Sequence, residues 1–374
     1  MNGWMERLDQ VFMVSHHGHK TIAPMEGIRG LAAFMVFVVH FAAQSLAWIP
    51  ADSLTSQIIF YLRFLGATGV DLFFVLSGFL IYGMLLKKQV TYAIYAKRRI
   101  RRIYPVFLFV MILYLVLSYA FPSESKLPGN LADTLFYFIA CLLLLPGIFP
   151  IEPVMTVAWT LSYEAFFYLA LPLVIAGLRL RDRSSNERIL VLIAFAVFLF
   201  ALNVFYNFHL HMVMFVSGML VFELTQLNLK LRWLLASWML PATLVLMLAT
   251  RYWFYHTYEW PVALIMFFGY GLVCYDVFRG ASRLAGFFSL PMMRWYGNMS
   301  YSYYLIHGLA LKFLFLALGL LFLPNKADEW VFYALFVPFF LVTLCVSAVL
   351  FVVVEKPLSF ARRVEAPRVS VRFD

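Results

Sequence analysis

Met25-Glu26-Gly27-Ile28-Arg29-Gly30 runs without a break into residues 31–41, an apolar segment that carries His40. The stretch reads as a membrane helix with an arginine where it leaves the aqueous phase and a histidine eleven residues further in. At about 100° per residue, eleven steps return to within about 20° of the same face and advance about 16 Å. Arg29 and His40 are therefore expected one above the other, the first near a membrane surface and the second near mid-bilayer. Ionisable groups at that depth are costly and mark functional positions.

Outward from this segment the composition stays apolar. Of 374 residues, 64% are apolar, 19% aromatic and only 13% charged, about half the charged share of a soluble domain. An all-α polytopic membrane helix bundle is the expected fold. Segments 190–202 and 332–354 are apolar on every side, which excludes the alternating pattern of a membrane β-barrel. The formal charge of +10 is assigned to topology, because the basic residues cluster at span ends. The bilayer is thus the expected partner, and no nucleic acid is. Cys141, Cys274 and Cys345 stand singly in apolar segments, which argues against a disulfide framework or a thiolate metal site. Residues 1–24 show no cleavable signal peptide, so the first span is expected to direct insertion.

Spans are expected near 30–49, 66–86, 103–121, 157–178, 189–206, 210–227, 233–250, 260–278, 299–321 and 330–353. Segment 133–145 is too short to cross, since about 17–25 residues are needed. Were it to cross, Arg179, Arg181 and Arg183 would fall outside, against the positive-inside rule. A re-entrant or interfacial helix there leaves 24 of the 29 Lys/Arg inside, the exceptions being Arg63, Lys126, Arg251, Lys312 and Lys326. The topology that follows is ten transmembrane helices plus that short helix, with both termini cytoplasmic in the cell inner membrane. Residues 1–24 and 359–374 are tails and 25–358 form one integral domain. His16, His17 and His19 are close enough to bind a metal weakly, but a solvated tail is the simpler reading, and no metal site is expected.

Each polar residue in the spans has a bland and a functional reading. His40 is either a buried hydrogen-bonded histidine or a general base, since neutral imidazole takes a hydroxyl proton near neutral pH. Glu164, in Trp159-Thr-Leu-Ser-Tyr163-Glu164-Ala-Phe-Phe-Tyr168, either neutralises a basic partner or orients the histidine. Asp71 and Gly78 share a face, with Ser77 beside them, and helix packing is favoured there over a ligand contact. Arg98, Arg99, Arg101 and Arg102 satisfy the positive-inside signal, yet Lys97–Arg102 holds five basic residues in six positions. Guanidinium forks suit phosphates, so a phosphate-bearing cytosolic ligand is a second use. Asn298 or Ser300 can cap the ninth span, and His307 within it is either structural or site-lining. Glu355 is most simply half of an ion pair. No Walker loop, GxSxG elbow, HExxH or dinucleotide fingerprint interrupts the spans.

Six motifs in this order resemble the acyltransferase type 3 membrane proteins. They are Glu26-Gly-Ile-Arg29-Gly with His40, Gly69-Val-Asp71-Leu-Phe-Phe-Val-Leu-Ser77-Gly78-Phe79, and the arginine cluster with Tyr104-Pro105. Trp159-x-Leu-x-x-Glu164-x-x-Phe-Tyr168, Gly297-Asn-x-Ser300-Tyr-x-x-Tyr304-Leu-x-His307 and Glu355-Lys-Pro357 complete the set. The resemblance implies about ten spans and transfer of an acyl group, usually acetyl, from acyl-CoA to a hydroxyl. Acceptors in that family are typically envelope carbohydrates, and macrolides or other small molecules in some members. It further implies that Arg29 and His40 are essential, that the Arg-x-x-Arg residues serve the CoA donor, and that Glu164 is a candidate site residue. Glu26 stands where the family usually has aspartate, a conservative departure. Any esterase-like partner domain is expected on a separate chain.

The expected function is therefore a membrane O-acyltransferase of envelope glycans, with acyl-CoA as co-substrate and no permanently bound cofactor. His40 and Glu164 are the catalytic candidates, and Arg29, Arg98, Arg99, Arg101 and Arg102 bind the donor. Asp71, Ser77, Tyr163, Asn298, Ser300 and His307 are further lining candidates. Other proteins of envelope-glycan assembly are candidate partners. The alternatives are a transporter or flippase with an intramembrane His/Glu proton relay, whose paired broken helices are missing, and a scaffold subunit that releases no CoA.

Overall fold

Backbone amides in an apolar medium have no water to bond, so each spanning segment must satisfy its own as helix. The structure, a computed structural model, describes residues 3–14, 22–122, 127–128, 130–206, 209–227, 236–253, 260–280, 282–324 and 328–360. Among these residues the elements are helical throughout, as the apolar runs require. In chain order they are α1 (Gly3–Phe12), α2 (Ala23–Ser45), α3 (Leu54–Ala67), α4 (Gly69–Lys87), α5 (Tyr92–Ala120), α6 (Leu131–Leu142), α7 (Ala158–Gly177) and α8 (Ser185–Tyr206). There follow α9 (Met212–Gln226), α10 (Ala236–Trp253), α11 (Trp260–Arg279), α12 (Arg283–Phe288), α13 (Pro291–Asn298), α14 (Ser300–Leu321) and α15 (Trp330–Leu350). A π-turn, Phe351–Glu355, and a last short helix, α16 (Lys356–Ser359), close the described chain.

The chain is a multi-pass membrane protein. Among the described residues, eight helical stretches are long and apolar enough to cross a bilayer, with α3 and α4 counted together. The ten expected spans each contain a helix, but two fall short of that standard. α9 has 15 residues, about 22 Å, and is enclosed by its neighbours along nearly its whole length. α10 carries Pro241 inside and Arg251 near its end, which lowers its hydropathy. The short helix expected near 133–145 is α6, of 12 residues.

Three local features were not expected. The segment after the first span forms helix α3, capped by Ser53, whose side chain accepts from Ser56 N; it breaks at Thr68 and continues as α4. The basic stretch and the third span are one helix, α5, so its arginines keep a fixed phase with the span. Residues 3–12, placed in a solvated tail, form α1, which is held to the bundle. The indole Nε1–H of Trp295 donates to Asp9 Oδ1 at 2.7 Å, and Lys356 Nζ donates to the carbonyls of Gln10 and Val11 at 2.7 and 2.6 Å. His16, His17, His19, Lys126, Lys326 and residues 361–374 lie outside the described residues.

Glycines set how closely the helices cross. At Gly78 a Cβ would lie 2.1 Å from Phe215 O, and at Gly218 1.9 Å from Val75 O, so α4 and α9 meet backbone to backbone. The face Gly78 shares with Asp71 is thus a helix-packing face at the glycine. α2 is locked the same way to the α12–α13 corner, where Gly27 abuts Phe288 and Gly297 abuts Glu26. Further along α2, Phe37 and Phe41 pack edge-on against Phe336 of α15 at 5.3 Å between centroids. One face of α2 is thereby committed to aromatic packing, leaving another for the polar residues.

Gly218→Ala is expected to lower stability in detergent by about 1–3 kcal/mol or more through backbone overpacking. Gly319→Ala, whose Cβ meets nothing within 4 Å, should leave it unchanged or slightly raised; thermal unfolding of the two variants compares them. If α6 is re-entrant or interfacial, as its 12 residues suggest, single cysteines at positions 123 and 184 in a cysteine-free background should label from opposite sides. Labelling of both from one side would mean that α6 crosses the bilayer and would overturn the re-entrant reading.

Candidate active site

Two cavities lie along α2 and collect many of the polar side chains. The first, of about 150 Å³, is lined by Arg29 of α2, Ser77 of α4, Arg99 and Arg102 of α5, Glu164 and Tyr168 of α7, and Ser300 of α14. The second, of about 380 Å³, is lined by His40 and Gln44 of α2, Tyr114 and Ser118 of α5, Thr156, and Gly308 and Lys312 of α14. α2 thus contributes Arg29 to one cavity and His40 to the other, as their shared face requires.

Between the cavities stands a hydrogen-bonded wall. Tyr304 and Thr160 line the first cavity and Val157 the second. The Tyr304 hydroxyl lies 2.6 Å from Thr160 Oγ1 and donates to Val157 O at 3.1 Å.

The first cavity has the make-up of an anion site. The α5 arginines sort by helical phase: Arg99 and Arg102, three apart, face inward, whereas Arg98 and Arg101 are exposed, with Arg101 Nε donating to Leu358 O. Of the four, only Arg99 and Arg102 join Arg29. Arg99 sits over the rings of Tyr95 and Tyr168 at 5.8 and 5.7 Å, and its Nε is buried without a partner. Ser300 Oγ is unpartnered as well. Unpaired buried donors are costly, and both belong to residues that line this cavity.

Arg102 pairs with Glu355, whose carboxylate is fully buried and also receives Ser302 N at 3.0 Å and the Ser302 hydroxyl. Glu164 accepts from Ser77 Oγ at 2.8 Å, close to Arg29 and Arg102. The structure therefore does not bring Glu164 to His40, as a His-orienting role would need. The two residues line different cavities, because Glu164 projects from α7 beyond the Tyr304 wall.

What His40 touches is His307, the two rings lying 5.1 Å apart between centroids. The other candidates lie elsewhere. Asp71, 2% exposed, receives the His211 imidazole at 2.7 Å and lines a separate cavity of about 280 Å³ with Arg251. Tyr163 stacks on Phe74 at 5.9 Å and its hydroxyl meets His209. Asn298 is buried at the α13–α14 junction with Met13 as its contact. Sequence reasoning did not assign Tyr168, Thr160, Tyr304, Gln44 or Lys312 to the site. Tyr168 and Tyr304 fell inside the quoted motifs, whereas Gln44 and Lys312 carried no signal beyond polarity within an apolar run.

Glu355→Ala should lower stability by about 3 kcal/mol or more, since it strands Arg102 and the Ser302 amide. Arg99→Ala removes ring contacts only, and should cost at most about 1 kcal/mol. Thermal unfolding in detergent separates the two.

A family profile described as "Acyltransferase domain" matches residues 22–352. Among similar proteins, "Acyltransferase MdmB" of Streptomyces mycarofaciens is 30% identical over 154 residues, 40% of this chain and 38% of that protein. "O-acetyltransferase OatA" of Staphylococcus aureus is 28% identical over 174 residues, 43% of this chain and 26% of that protein. "Exopolysaccharide production protein ExoZ" of Rhizobium meliloti is 36% identical over 110 residues, 28% of this chain and 32% of that protein. The matched stretches thus span between a quarter and two-fifths of those relatives. No solved structure matches the chain. With the profile covering nearly all of the helical bundle, the chain belongs to the family whose profile is described as an acyltransferase domain.

Proposed function

We propose that this protein is an O-acyltransferase of the cytoplasmic membrane, both termini cytoplasmic, that moves an acyl group, acetyl in the first instance, from cytosolic acyl-CoA to a carbohydrate hydroxyl of an envelope polysaccharide. The observation that carries the reading is the pair of cavities along α2, arginine-lined at one level and histidine-lined about 16 Å further along the helix. The relatives named O-acetyltransferase and exopolysaccharide production protein support the acceptor class.

Arg29, Arg99 and Arg102 hold donor phosphates at the basic mouth, where the unpartnered Arg99 Nε gains an acceptor. Glu164 balances that positive charge within the same cavity. The thioester reaches toward His40 past the Tyr304–Thr160 wall. The acceptor occupies the larger cavity, whose Gln44, Ser118, Thr156 and Lys312 offer the varied donors and acceptors that sugar hydroxyls bond. His40 takes the hydroxyl proton as the oxygen attacks the thioester carbonyl, the C–S bond breaks, and the proton passes to the departing thiolate, releasing CoA–SH. A direct transfer uses His40 once; a transient acyl-His uses it twice. Other proteins of envelope-glycan assembly would deliver the acceptor.

Purified protein given acetyl-CoA and a mixed pool of envelope glycans should release CoA in an acceptor-dependent way, and His40→Ala should abolish that release. Turnover by a folded His40→Ala protein would remove His40 from the chemistry; glycan flux in proteoliposomes without acyl-CoA would favour transport. Gly308→Leu tests the acceptor cavity, because a Cβ at Gly308 meets nothing within 4 Å and the added side chain can enter that cavity. It should raise KM for the acceptor at least about tenfold, about 1.4 kcal/mol, and leave KM for acetyl-CoA unchanged.

A further inference from the structure

His307 is fully buried, and its two ring nitrogens have unlike surroundings. Nδ1 lies 2.9 Å from Tyr303 O and 3.0 Å from Tyr304 O. Carbonyl oxygens only accept, so Nδ1 must carry the proton. In the neutral ring Nε2 is then a bare lone pair, and it is buried with no hydrogen-bond partner. A second proton there would leave an unpaired cation in an apolar site, which costs more than the orphan lone pair.

Nothing in the larger cavity can satisfy that nitrogen, because His307 does not line it. The partner must be a protein group with a hydrogen to give. Of the rings packed against His307, two have hydroxyls already engaged: Tyr304 with Thr160 and Val157, and Tyr303 with Thr343. Tyr303 also stacks flat on the His307 ring, 5.2 Å between centroids and 6° between planes, which fixes that ring in place. His40 remains. Its ring centre lies 5.1 Å from that of His307, and a linear N–H···N bond of about 2.9 Å sets two imidazole centres about 5 Å apart. His40 is half-buried and borders about 380 Å³ of open space. That space leaves χ2, a broad torsion in histidine, free to turn an N–H toward the waiting lone pair.

We propose that His307 is the positioning residue of the acyl transfer: its Nε2 accepts the N–H of His40 and so holds the other His40 nitrogen, lone pair outward, toward the acceptor hydroxyl in the larger cavity. This rests on the reading of His40 as the base. The arrangement does what a carboxylate does behind a catalytic histidine, fixing the tautomer and steadying the imidazolium, without a negative charge at membrane depth. The backbone carbonyls of Tyr303 and Tyr304 set the polarity of the whole relay, since they dictate which His307 nitrogen is left to accept.

The test compares His307→Leu, which removes the acceptor, with His307→Gln, whose amide can donate to the carbonyls and whose oxygen can accept from His40. kcat with acetyl-CoA and glycan acceptor should fall about 100-fold in His307→Leu, with both KM values unchanged, and recover to within about tenfold of wild type in His307→Gln. The second readout needs no turnover. Carbethoxylation of His40 by diethyl pyrocarbonate, followed by mass spectrometry of its peptide, should slow in His307→Leu and recover in His307→Gln. His307→Met replaces His307→Leu if the latter does not fold. Wild-type kcat and His40 reactivity in a folded Leu or Met variant would overturn the proposal, as would a Gln variant no better than they are. Turnover by His40→Ala, by contrast, would overturn the role of His40 itself.

Discussion

The buried carboxylate of Glu355 fixes the geometry on which the first cavity depends. It sits in the π-turn after α15 and is met by Arg102 of α5 and by the amide and hydroxyl of Ser302 at the start of α14. A carboxylate removed from water must find such partners or be neutralised. Satisfying it draws three segments distant in sequence to one point, which sets Arg102, Ser300 and Tyr301 around the same space as Arg29. The neighbouring pairs extend the rule. Arg294 binds Glu26 at the foot of α2, and Arg188 binds Glu223 between α8 and α9. In an apolar bundle the charges act as address labels, because each has few places it can be buried.

Close helix crossing is the second constraint. The glycines at Gly27 and Gly297 let α2 and the α12–α13 corner touch through backbone, and Gly78 and Gly218 do the same for α4 and α9. Interfaces of that kind are rigid, since side-chain rearrangement cannot relieve them. Rigidity at α2 matters because that one helix presents both Arg29 and His40. The distance between the two cavities is then a property of helix rise rather than of loops, and the wall formed by Tyr304, Thr160 and Val157 divides a fixed span.

Electrostatics separates the chemistry along that span. Arginines and Glu164 crowd one cavity, while the other holds the His40 imidazole and hydroxyls, with Lys312 the one charged side chain among its lining residues. Phosphate recognition needs the first environment. A histidine that must remain a neutral base needs the second, where no carboxylate among the lining residues contacts it. Placing Glu164 behind the wall keeps it with the arginines.

The sequence by itself determined the class and the axis of the protein. Apolar run length imposed helices across a bilayer, and the eleven-residue spacing put Arg29 and His40 on one face, because both follow from repeat geometry that neighbours do not alter. Helical phase could also have divided the arginine cluster, since Arg99 and Arg102 share a side while Arg98 and Arg101 share another. Tertiary structure decided what no period encodes. Glu164 belongs to the arginines and not to His40, Asp71 to His211, and His40 to His307, because each pairing joins helices whose rotation is set by packing across the bundle. Helix α3 escaped notice for a related reason: it is made by a serine cap and by glycines pressed against α2, and its sequence alone is too short and too mixed to show a span.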